Sequence, residues 1–434
     1  MKKKIVYIGL SVDVLHHGHI NLINQSKKLG LLTVGLLTDK AISSVKRMPL
    51  LNFNQRKEIL KNINGVDRII EQKEWEYSPN LLKVKPDIMV HGDDWKNGKE
   101  KKLRERTVAT LKKIGAKLIE IPHTKDISSS AMQTKMYQQG ILPTNRQSLL
   151  KRLLEVKNIC RILETHSPLS AIIAEKTFLI DKQGRKNEFD GFWSSSLTDS
   201  TLKGKPDIEV LDLNQRINNI NDIFDVTTKP LIIDIDTGGK IEHLEINIKI
   251  IDRTGISAVI MEDKKGLKKN SLFGTDVKQE QENIKEFSKK ISAGKKASTN
   301  NLMIIARIES LILNKPISDA LKRAESYLEA GADGIMIHSK DKSPDKIFTF
   351  AKKFKKEFSN VPLVVVPSSF NIVKEKQLID YGFNIVIYAN HLLRASYPAM
   401  KNTALSILKH KRSLETDSSL LSIKEILDLI PGTK

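Results

Sequence analysis

Residues 258–271 read AVIMEDKKGLKKNS, so an apolar run is followed by two acidic residues and then by cations and small polar side chains. A short continuous apolar run is typical of a buried parallel strand, and charged residues directly after it are typical of the catalytic face of an α/β enzyme. Carboxylates bind divalent cations, whereas lysine and asparagine donate hydrogen bonds to anions. The stretch therefore predicts a strand that opens onto a site for a metal ion and an anion together.

Short apolar strands alternate with helices from residue 163 onward. Seven such strands and one preceding strand, spread over about 270 residues, predict a (β/α)8 barrel, in which all carboxyl ends meet at one face. The expected strands are 191–193, 231–235, 258–261, 303–308, 334–337, 363–366 and 385–388. The charged residues expected to share that face are Asp234, Asp236, Glu262, Arg307 and His338.

Asp234 and Asp236 are one residue apart, which places both carboxylates on the same side of an extended segment. Together with Asp207 and Glu262 they would repel one another unless a hard divalent cation neutralised them. Oxygen-rich sites that retain water suit Mg²⁺, which is the expected cofactor. The expected donors to a phosphoryl group and a carboxylate are Lys268, Asn270, Arg307 and His338.

Residues 1–140 also alternate strands with helices, in a rhythm that predicts a doubly wound parallel sheet. The expected strands are 5–10, 32–37, 68–70, 88–91 and 117–121. A Gly/Pro break at residues 140–145 predicts two domains, 1–140 and 147–434. A helical pattern at residues 147–163 is expected to open the second domain, with Cys160 buried in that helix.

Residues 13–19 read DVLHHGH and lie between the first expected strand and the first helix. A helix N-terminus presents free N–H groups to phosphate, and Gly18 allows a close backbone approach. His16 and His19 are then expected to donate to the α-phosphate of a nucleoside triphosphate, where charge builds up during in-line attack. An isolated motif of this kind also fits a chance occurrence or a metal-binding pair.

Further motifs follow in register: NQRK at 54–57, HGDDW at 91–95 and ISSS at 127–130. Together with the histidines they resemble the glycerol-3-phosphate cytidylyltransferase family, and the resemblance implies CTP as co-substrate. It implies that Lys46 and Arg56 hold phosphates, Asp94 and Trp95 lie by the nucleotide, and Ser128 and Ser129 cap a closing helix. The family's RTEGIS is HTKDIS at 123–128 here, which removes a permanent charge and a bidentate donor.

The segment at 262–271 resembles the EDKxxPKxNS lid of phosphoenolpyruvate mutases, in the isocitrate lyase superfamily. The resemblance spans about residues 160–430 and includes WSSSL at 193–197, DIDTG at 234–238, ARIE at 306–309 and HSK at 338–340. Two positions depart from the family pattern: Leu267 replaces the lid proline, and Ser196 replaces a glycine.

That resemblance implies direct Mg²⁺ binding by Asp234 and water-mediated binding by Asp236 and Glu262. It places Asp207 beside the migrating phosphoryl group and assigns residues 264–271 to a lid that excludes water, with Lys268 within it. The residues implied to bind the enolate or carboxylate end are Trp193, Ser195 and Leu197, and those implied to stabilise the transferring group are Asn270, Arg307 and His338.

The two resemblances predict a bifunctional enzyme of phosphonate biosynthesis. The barrel would interconvert phosphoenolpyruvate and phosphonopyruvate, and the first domain would transfer CMP from CTP to a phosphonate or related acceptor. The alternative is a phosphonopyruvate hydrolase with a degenerate, non-catalytic nucleotide-binding domain. A carbon–carbon lyase of the same superfamily would need a cysteine that residues 258–274 lack, and a non-catalytic binding protein remains an option mainly for the first domain.

Composition argues against three further classes of protein: nucleic-acid-binding, membrane-spanning and disulfide-rich proteins. The net charge of +21 accompanies only 5% aromatic residues, so stacking platforms for nucleic acid are not evident and no nucleic-acid partner is expected. No apolar stretch approaches the roughly 18 residues of a membrane span, and the single cysteine excludes an internal disulfide framework. We expect a cytoplasmic protein that acts on small molecules and forms a homo-oligomer through the barrel.

Overall fold

The computed structural model describes residues 3–96, 100–122, 143–181, 184–299 and 301–430. Those residues form an open five-stranded sheet, a closed eight-stranded barrel and two two-stranded sheets. The predicted fold class is therefore confirmed: a parallel α/β sheet precedes a (β/α)8 barrel.

The first sheet has the strand order β3-β2-β1-β4-β5, and all of its paired strands are parallel. Its strands are β1 (Ile5–Leu10), β2 (Leu31–Leu37), β3 (Arg68–Gln72), β4 (Ile88–Gly92) and β5 (Lys117–Ile121). Its helices are α1 (His17–Lys27), α2 (Asp39–Ser43), α3 (Phe53–Lys61), α4 (Ser78–Val84) and α5 (Lys101–Ile114). The strand order reverses at β1, and the loop of residues 11–16 leads from that strand to α1. The histidine motif therefore lies at the switch point where such sheets bind ligands.

The barrel closes in the order β6-β9-β10-β11-β14-β15-β16-β17, with β17 paired to β6. Its strands are β6 (Cys160–Glu164), β9 (Gly191–Ser194), β10 (Leu231–Asp234), β11 (Ala258–Glu262), β14 (Met303–Ile308), β15 (Gly334–Ile337), β16 (Leu363–Val365) and β17 (Ile385–Tyr388). The two-stranded sheets are β7 (Phe178–Ile180) with β8 (Lys186–Glu188), and β12 (Lys264–Lys265) with β13 (Glu280–Gln281).

The remaining helices precede the barrel, connect its strands or follow it. They are α6 (Pro143–Val156), α7 (Pro168–Lys176), α8 (Ser196–Leu202), α9 (Leu213–Val226), α10 (Ile241–Thr254), α11 (Ile284–Ala297), α12 (Ile317–Glu329), α13 (Asp345–Glu357), α14 (Glu375–Asp380), α15 (His391–His410) and α16 (Ile423–Leu429). One apolar cluster fills the space between strands and helices, and a second fills the barrel interior.

Two local expectations were wrong. The helix expected over 147–163 ends at Val156, and Cys160 begins strand β6, although its thiol is buried as expected. Tertiary pairing outweighs the helical spacing here, because β6 satisfies its backbone groups against β17 and β9 and closes the barrel. The strand expected over 231–235 ends at Asp234, and Asp236 has a left-handed φ of 54° instead of continuing the extended segment.

Within the described ranges, no helix is both long enough and apolar enough to cross a membrane. The long helix α15 nevertheless presents several apolar side chains to solvent and has no buried residue. Exposed apolar side chains on α15 include Tyr397, Met400, Leu405 and Leu408.

Candidate active sites

The acidic cup consists of Asp207, Asp234, Asp236 and Glu262, which converge at the carboxyl ends of the barrel strands, as predicted. Beside it lies a cavity of about 80 Å³. All three residues expected to bind the substrate line this cavity, as do the expected phosphoryl donors: Trp193, Ser195, Leu197, Lys268, Asn270, Arg307 and His338. The predicted barrel residues are therefore brought together at one site.

The turn after β10 orients the two central carboxylates of the cup. Oδ1 of Asp234 accepts the backbone N–H of Asp236 at 3.0 Å, and the left-handed backbone of Asp236 then reverses the chain. Glu209 accepts the next N–H, from Thr237, at 2.8 Å. These bonds hold both aspartates in the mouth although they do not lie on one continuous strand.

Burial and charge set the protonation of the cup. Burial raises the pKa of Asp234, but the charges of Lys268, Arg307 and Arg216 outweigh that effect and hold its pKa below the usual value. Burial raises the pKa of Glu262 to about 7, although Arg307 and Lys264 oppose the rise. Within the cup, Asp234 is thus ionised at neutral pH, whereas Glu262 protonates readily near it.

The cup supplies carboxylate oxygens, the donor type that a hard divalent cation prefers, but the carboxylates are not spaced as an assembled metal site. Glu262 is 1% exposed and neither of its carboxylate oxygens accepts a hydrogen bond from the described residues, although Nη2 of Arg307 lies 3.3 Å from Oε2. A buried carboxylate without hydrogen bonds is costly unless an ion or its bound water satisfies it. Among the described residues no three acidic, histidine or cysteine side chains converge closely enough to hold a metal ion, and the Lys268 ammonium lies between the carboxylates.

The lid (residues 264–271) is folded over the cavity. Nζ of Lys268 donates to Oδ1 of Asp207 at 2.9 Å, to Ser196 Oγ at 2.5 Å and to Asp236. Nδ2 of Asn270 donates to the other oxygen of Asp207 at 3.0 Å. Burial lowers the pKa of Lys268, but Asp234 and Asp236 outweigh it and hold the pKa above its usual value. The lid therefore binds the cup through a charged amine and an amide.

Buried groups at the base of the lid hold it in register. Asp263 is fully buried and accepts hydrogen bonds from Arg323 and from the hydroxyl of Tyr327, at 3.2 and 2.8 Å. At the other end, Ser271 accepts from Lys264 Nζ at 2.6 Å and donates to Glu309 at 2.6 Å. Both ends of the lid are thus fixed to barrel strands and helices.

Glu309 is a site residue to which the sequence assigned no role. Its carboxylate accepts from Nε of Arg307 at 2.5 Å and lies 3.1 Å from Nδ1 of His338. Burial and the charge of Arg307 lower the pKa of His338, so the imidazole is neutral at pH 7. The sequence feature that could have identified Glu309 is its position two residues after Arg307 of strand β14. In an extended chain this spacing places both side chains on one face.

Ser196, which stands where the resembling family has a glycine, takes part in the site. Its hydroxyl is 3.3 Å from Oδ2 of Asp234 and accepts the hydrogen bond from Lys268. The side chain therefore links a cup carboxylate to the lid, and Ser195 lines the cavity beside it.

Arg216 and Asp199 form a second group that the sequence did not reveal. Arg216 donates from Nε to Asp199, from Nη2 to the Ser194 carbonyl at 3.2 Å, and from Nη1 to the Asp234 carbonyl. All of these groups are buried directly behind the cup. No local pattern pairs residues 199 and 216, because one lies in α8 and the other in α9.

In the first domain, His16 and His19 lie together at the start of α1, as predicted. Nδ1 of His16 accepts the N–H of Gly18 at 3.2 Å, and Nδ1 of His19 accepts the N–H of His16 at 3.4 Å. Both Nδ1 atoms are acceptors, so a neutral ring carries its proton on Nε2. Burial and the neighbouring His16 lower the pKa of His19 to about 4. Neutral His19 thus carries an Nε2–H donor beside a helix N-terminus.

The other residues expected to contact the nucleotide differ in their exposure to solvent. Lys46 is exposed, with its ammonium 5.0 Å from the ring centre of Trp75, and Asp94 is exposed in a short 3-10 helix. Trp95 is buried, donates to Glu120 at 2.8 Å and stacks on His91 with ring centres 3.7 Å apart. Ser128 and Ser129 lie outside the described residues.

Arg56 is fully buried instead of lining an open phosphate site. It donates to the carbonyls of Leu51 and Ser11 at 3.1 and 2.5 Å and to Asp39 at 2.5 Å. In this arrangement its guanidinium supports the backbone of the loop between β1 and the histidine motif.

A closed parallel barrel with an acidic cup and a basic lid at its carboxyl face defines the class of the larger domain. The family described as phosphoenolpyruvate phosphomutase matches residues 150–408, more than half of the chain, and a cytidylyltransferase-like family matches residues 7–135. The chain belongs to the phosphoenolpyruvate phosphomutase family and carries an additional cytidylyltransferase-like domain at its N-terminal side.

Two curated proteins are similar at the same level of identity. A phosphoenolpyruvate phosphomutase of Tetrahymena pyriformis is 33% identical over 288 residues, which cover 66% of this chain and 91% of that protein. A phosphonopyruvate hydrolase of Variovorax is 33% identical over 287 residues, 65% of this chain and 94% of that protein. A solved phosphonopyruvate hydrolase in complex with oxalate and Mg²⁺ superposes with a TM-score of 0.57 at 32% identity and covers 65% of this chain and 94% of that one.

Proposed function

We propose that the barrel interconverts phosphoenolpyruvate and phosphonopyruvate in the presence of Mg²⁺. The observation that carries this proposal is the closed lid, in which Lys268 and Asn270 both contact Asp207 above the cavity. A phosphoryl group in transit between the enolate oxygen and carbon 3 reacts with any water it meets. A lid that closes on the phosphoryl site favours transfer within the substrate over hydrolysis.

In the proposed reaction the O–P bond breaks and a C–P bond forms between the same phosphorus and carbon 3 of the enolate. Lys268, Asn270 and Arg307 donate to the phosphoryl oxygens, and neutral His338 donates without adding a charge. Ser195 and neighbouring amides orient the carboxylate end. Asp234, Asp236 and Glu262 would hold the Mg²⁺, which when bound supplies positive charge to the enolate and carboxylate oxygens.

The test is the fate of phosphonopyruvate. Supplied to the purified protein with Mg²⁺ and followed by phosphorus NMR, it should yield phosphoenolpyruvate. Appearance of pyruvate and inorganic phosphate instead would favour the hydrolase alternative, to which the similarity with the Variovorax protein also points.

For the first domain, we propose CMP transfer from CTP to a phosphonate or related acceptor. It is supported by the two imidazoles at the start of α1, whose Nδ1 atoms accept backbone N–H groups so that Nε2 is the donor atom of the neutral ring, in a domain of the cytidylyltransferase-like family. Loss of one such donor costs about a hundred- to a thousandfold in turnover. His16→Ala should therefore nearly abolish pyrophosphate release while the barrel reaction continues. If the unaltered protein neither binds CTP nor forms a CMP conjugate, the first domain is a degenerate nucleotidyltransferase domain without catalytic activity.

A homo-oligomer formed through the barrel remains our proposal for the assembly. It is supported by α15, on which Tyr397, Met400 and Leu408 are each more than 60% exposed. Exposed apolar surface of this kind marks association sites. Sedimentation velocity should give a mass above that of a single chain, and a monomer would contradict the proposal.

We also propose a cytoplasmic location, with which the buried single cysteine is compatible.

A further inference from the structure

Side chains of the barrel domain hold residues 47–51 of the first domain. Arg152, on helix α6, donates from Nη2 to the Pro49 carbonyl at 2.6 Å and from Nη1 to the Leu50 carbonyl at 3.0 Å. Arg47 donates to Thr228 at 2.7 Å, and Thr228 lies just before strand β10. The segment is therefore fixed by charged and polar groups that lie more than a hundred residues away in sequence.

Apolar packing anchors the same segment. Met48 is 6% exposed and belongs to the apolar cluster that fills the inside of the barrel. It packs there with Leu150 and Leu153 of α6 and with residues of the barrel strands. The first domain thus inserts a side chain into the core of the second.

On its other side, this segment contacts the loop that leads to the histidine motif. The N–H of Leu51 donates to Oδ1 of Asp13 at 2.9 Å. Arg56 donates to the carbonyls of Leu51 and Ser11 and so joins the two stretches of backbone. Ser11 and Asp13 lie five and three residues before His16, so a shift of residues 49–51 moves the backbone that positions this histidine.

The carboxylate of Asp39 lies between the two arginines that hold this segment. Asp39 accepts from the buried Arg56 at 2.5 Å and lies 3.9 Å from Nη2 of Arg152. Hydrogen bonds from a charged donor are stronger than neutral ones, and a lost donor leaves its acceptor unsatisfied. Removing Arg152 would leave the Pro49 and Leu50 carbonyls without these donors.

We propose that Arg152 is a positioning residue for the nucleotide site, so that the barrel domain completes the site of the first domain. Arg152 fixes residues 49–51, which in turn fix Asp13 and Arg56 behind the histidine motif. The inference rests on the proposed nucleotide binding by the first domain. Since linkage is reciprocal, bound nucleotide would also strengthen the contact between the two domains.

The test is CTP binding by calorimetry with the full-length protein. Arg152→Ala should bind CTP about tenfold more weakly, as expected for the loss of a hydrogen-bonded charged donor. Arg152→Lys, which keeps the charge but not the two-pronged geometry, should fall in between. The control Arg412→Ala removes the same charge from a side chain that is 64% exposed near the C-terminal end and should bind like the unaltered protein.

Steady-state kinetics distinguish a specific effect on the nucleotide site from a general loss of folded protein. In Arg152→Ala the KM for CTP should rise while the KM and kcat of the barrel reaction stay unchanged. Equal CTP affinity in Arg152→Ala and the unaltered protein would overturn the inference.

If the unaltered protein does not bind CTP, the proposed nucleotide function fails. Amide hydrogen exchange then still tests whether Arg152 positions residues 49–51. The amide of Leu51, bonded to Asp13, and the amides at 18–20 should then exchange several-fold faster in Arg152→Ala than in Arg412→Ala. Unchanged exchange at these amides would refute the positioning role.

Discussion

Nε of Arg216 lies 2.8 Å from Oδ2 of Asp199, and this buried pair supports the acidic cup from behind through the Asp234 carbonyl. Burial disfavours the Arg216 charge, yet the carboxylates of Asp199, Asp236 and Asp234 hold its pKa above the usual value. Arg216 thus holds a positive charge behind the cup, next to carboxylates that must be anionic to bind a cation.

Arg216→Leu should destabilise the fold by about 3–5 kcal/mol, because it leaves Asp199 as an unpaired buried charge. Urea unfolding measures this loss. The double variant Arg216→Leu with Asp199→Leu should recover part of the stability but not the Mg²⁺ affinity, which calorimetry measures. Full recovery of Mg²⁺ affinity in the double variant would show that the pair does not support the cup.

Asp234→Ala should abolish barrel turnover and Mg²⁺ binding, since it removes the carboxylate whose ionised form the surrounding cations favour. A chelator should abolish turnover of the unaltered protein in the same way. Asp276→Ala, which removes an exposed aspartate after the lid, is the matched control and should be active. Undiminished activity in metal-free buffer would rule out the metal requirement.

Lys268→Ala should lower the rate of barrel turnover by about a hundred- to a thousandfold, because it removes a preorganised donor to the phosphoryl group. The product ratio should also shift toward pyruvate and phosphate, since the lid loses one of its two bonds to Asp207. Phosphorus NMR reads both effects. Lys265→Ala, at an exposed position of the same lid, should leave rate and product ratio unchanged; equal effects in the two variants would argue against a specific role of Lys268.

His19 should remain neutral well below pH 6, because burial and the neighbouring His16 lower its pKa to about 4. The unfolded chain takes up this proton near pH 6.5, so the contribution of His19 to stability is complete above that pH and is lost as pH falls toward 4. Nitrogen NMR should show the Nε2–H tautomer at pH 5.5, and His19→Gln should flatten the stability profile between pH 6.5 and 4. A titration midpoint near 6.5 would contradict the assigned environment.

The sequence was sufficient to predict most of the barrel and of its site. Apolar runs with acidic or basic residues at their ends located the carboxyl face, because strand polarity and helix alternation are local properties. The strand 303–308 and the placement of Arg307 beside Asp234 and Glu262 at this face were predicted in this way and are observed.

Tertiary structure decided what joins positions far apart in sequence. Cys160 lies in a strand because barrel closure requires pairing with β17, and Arg56 is buried because Asp39 and two carbonyls surround its guanidinium. The pairing of Arg216 with Asp199 and the hold of Arg152 on residues 49–51 depend on packing between helices and between domains. Local periodicity carries no information about which distant charge or carbonyl a buried arginine will meet, since only the folded chain brings those groups together.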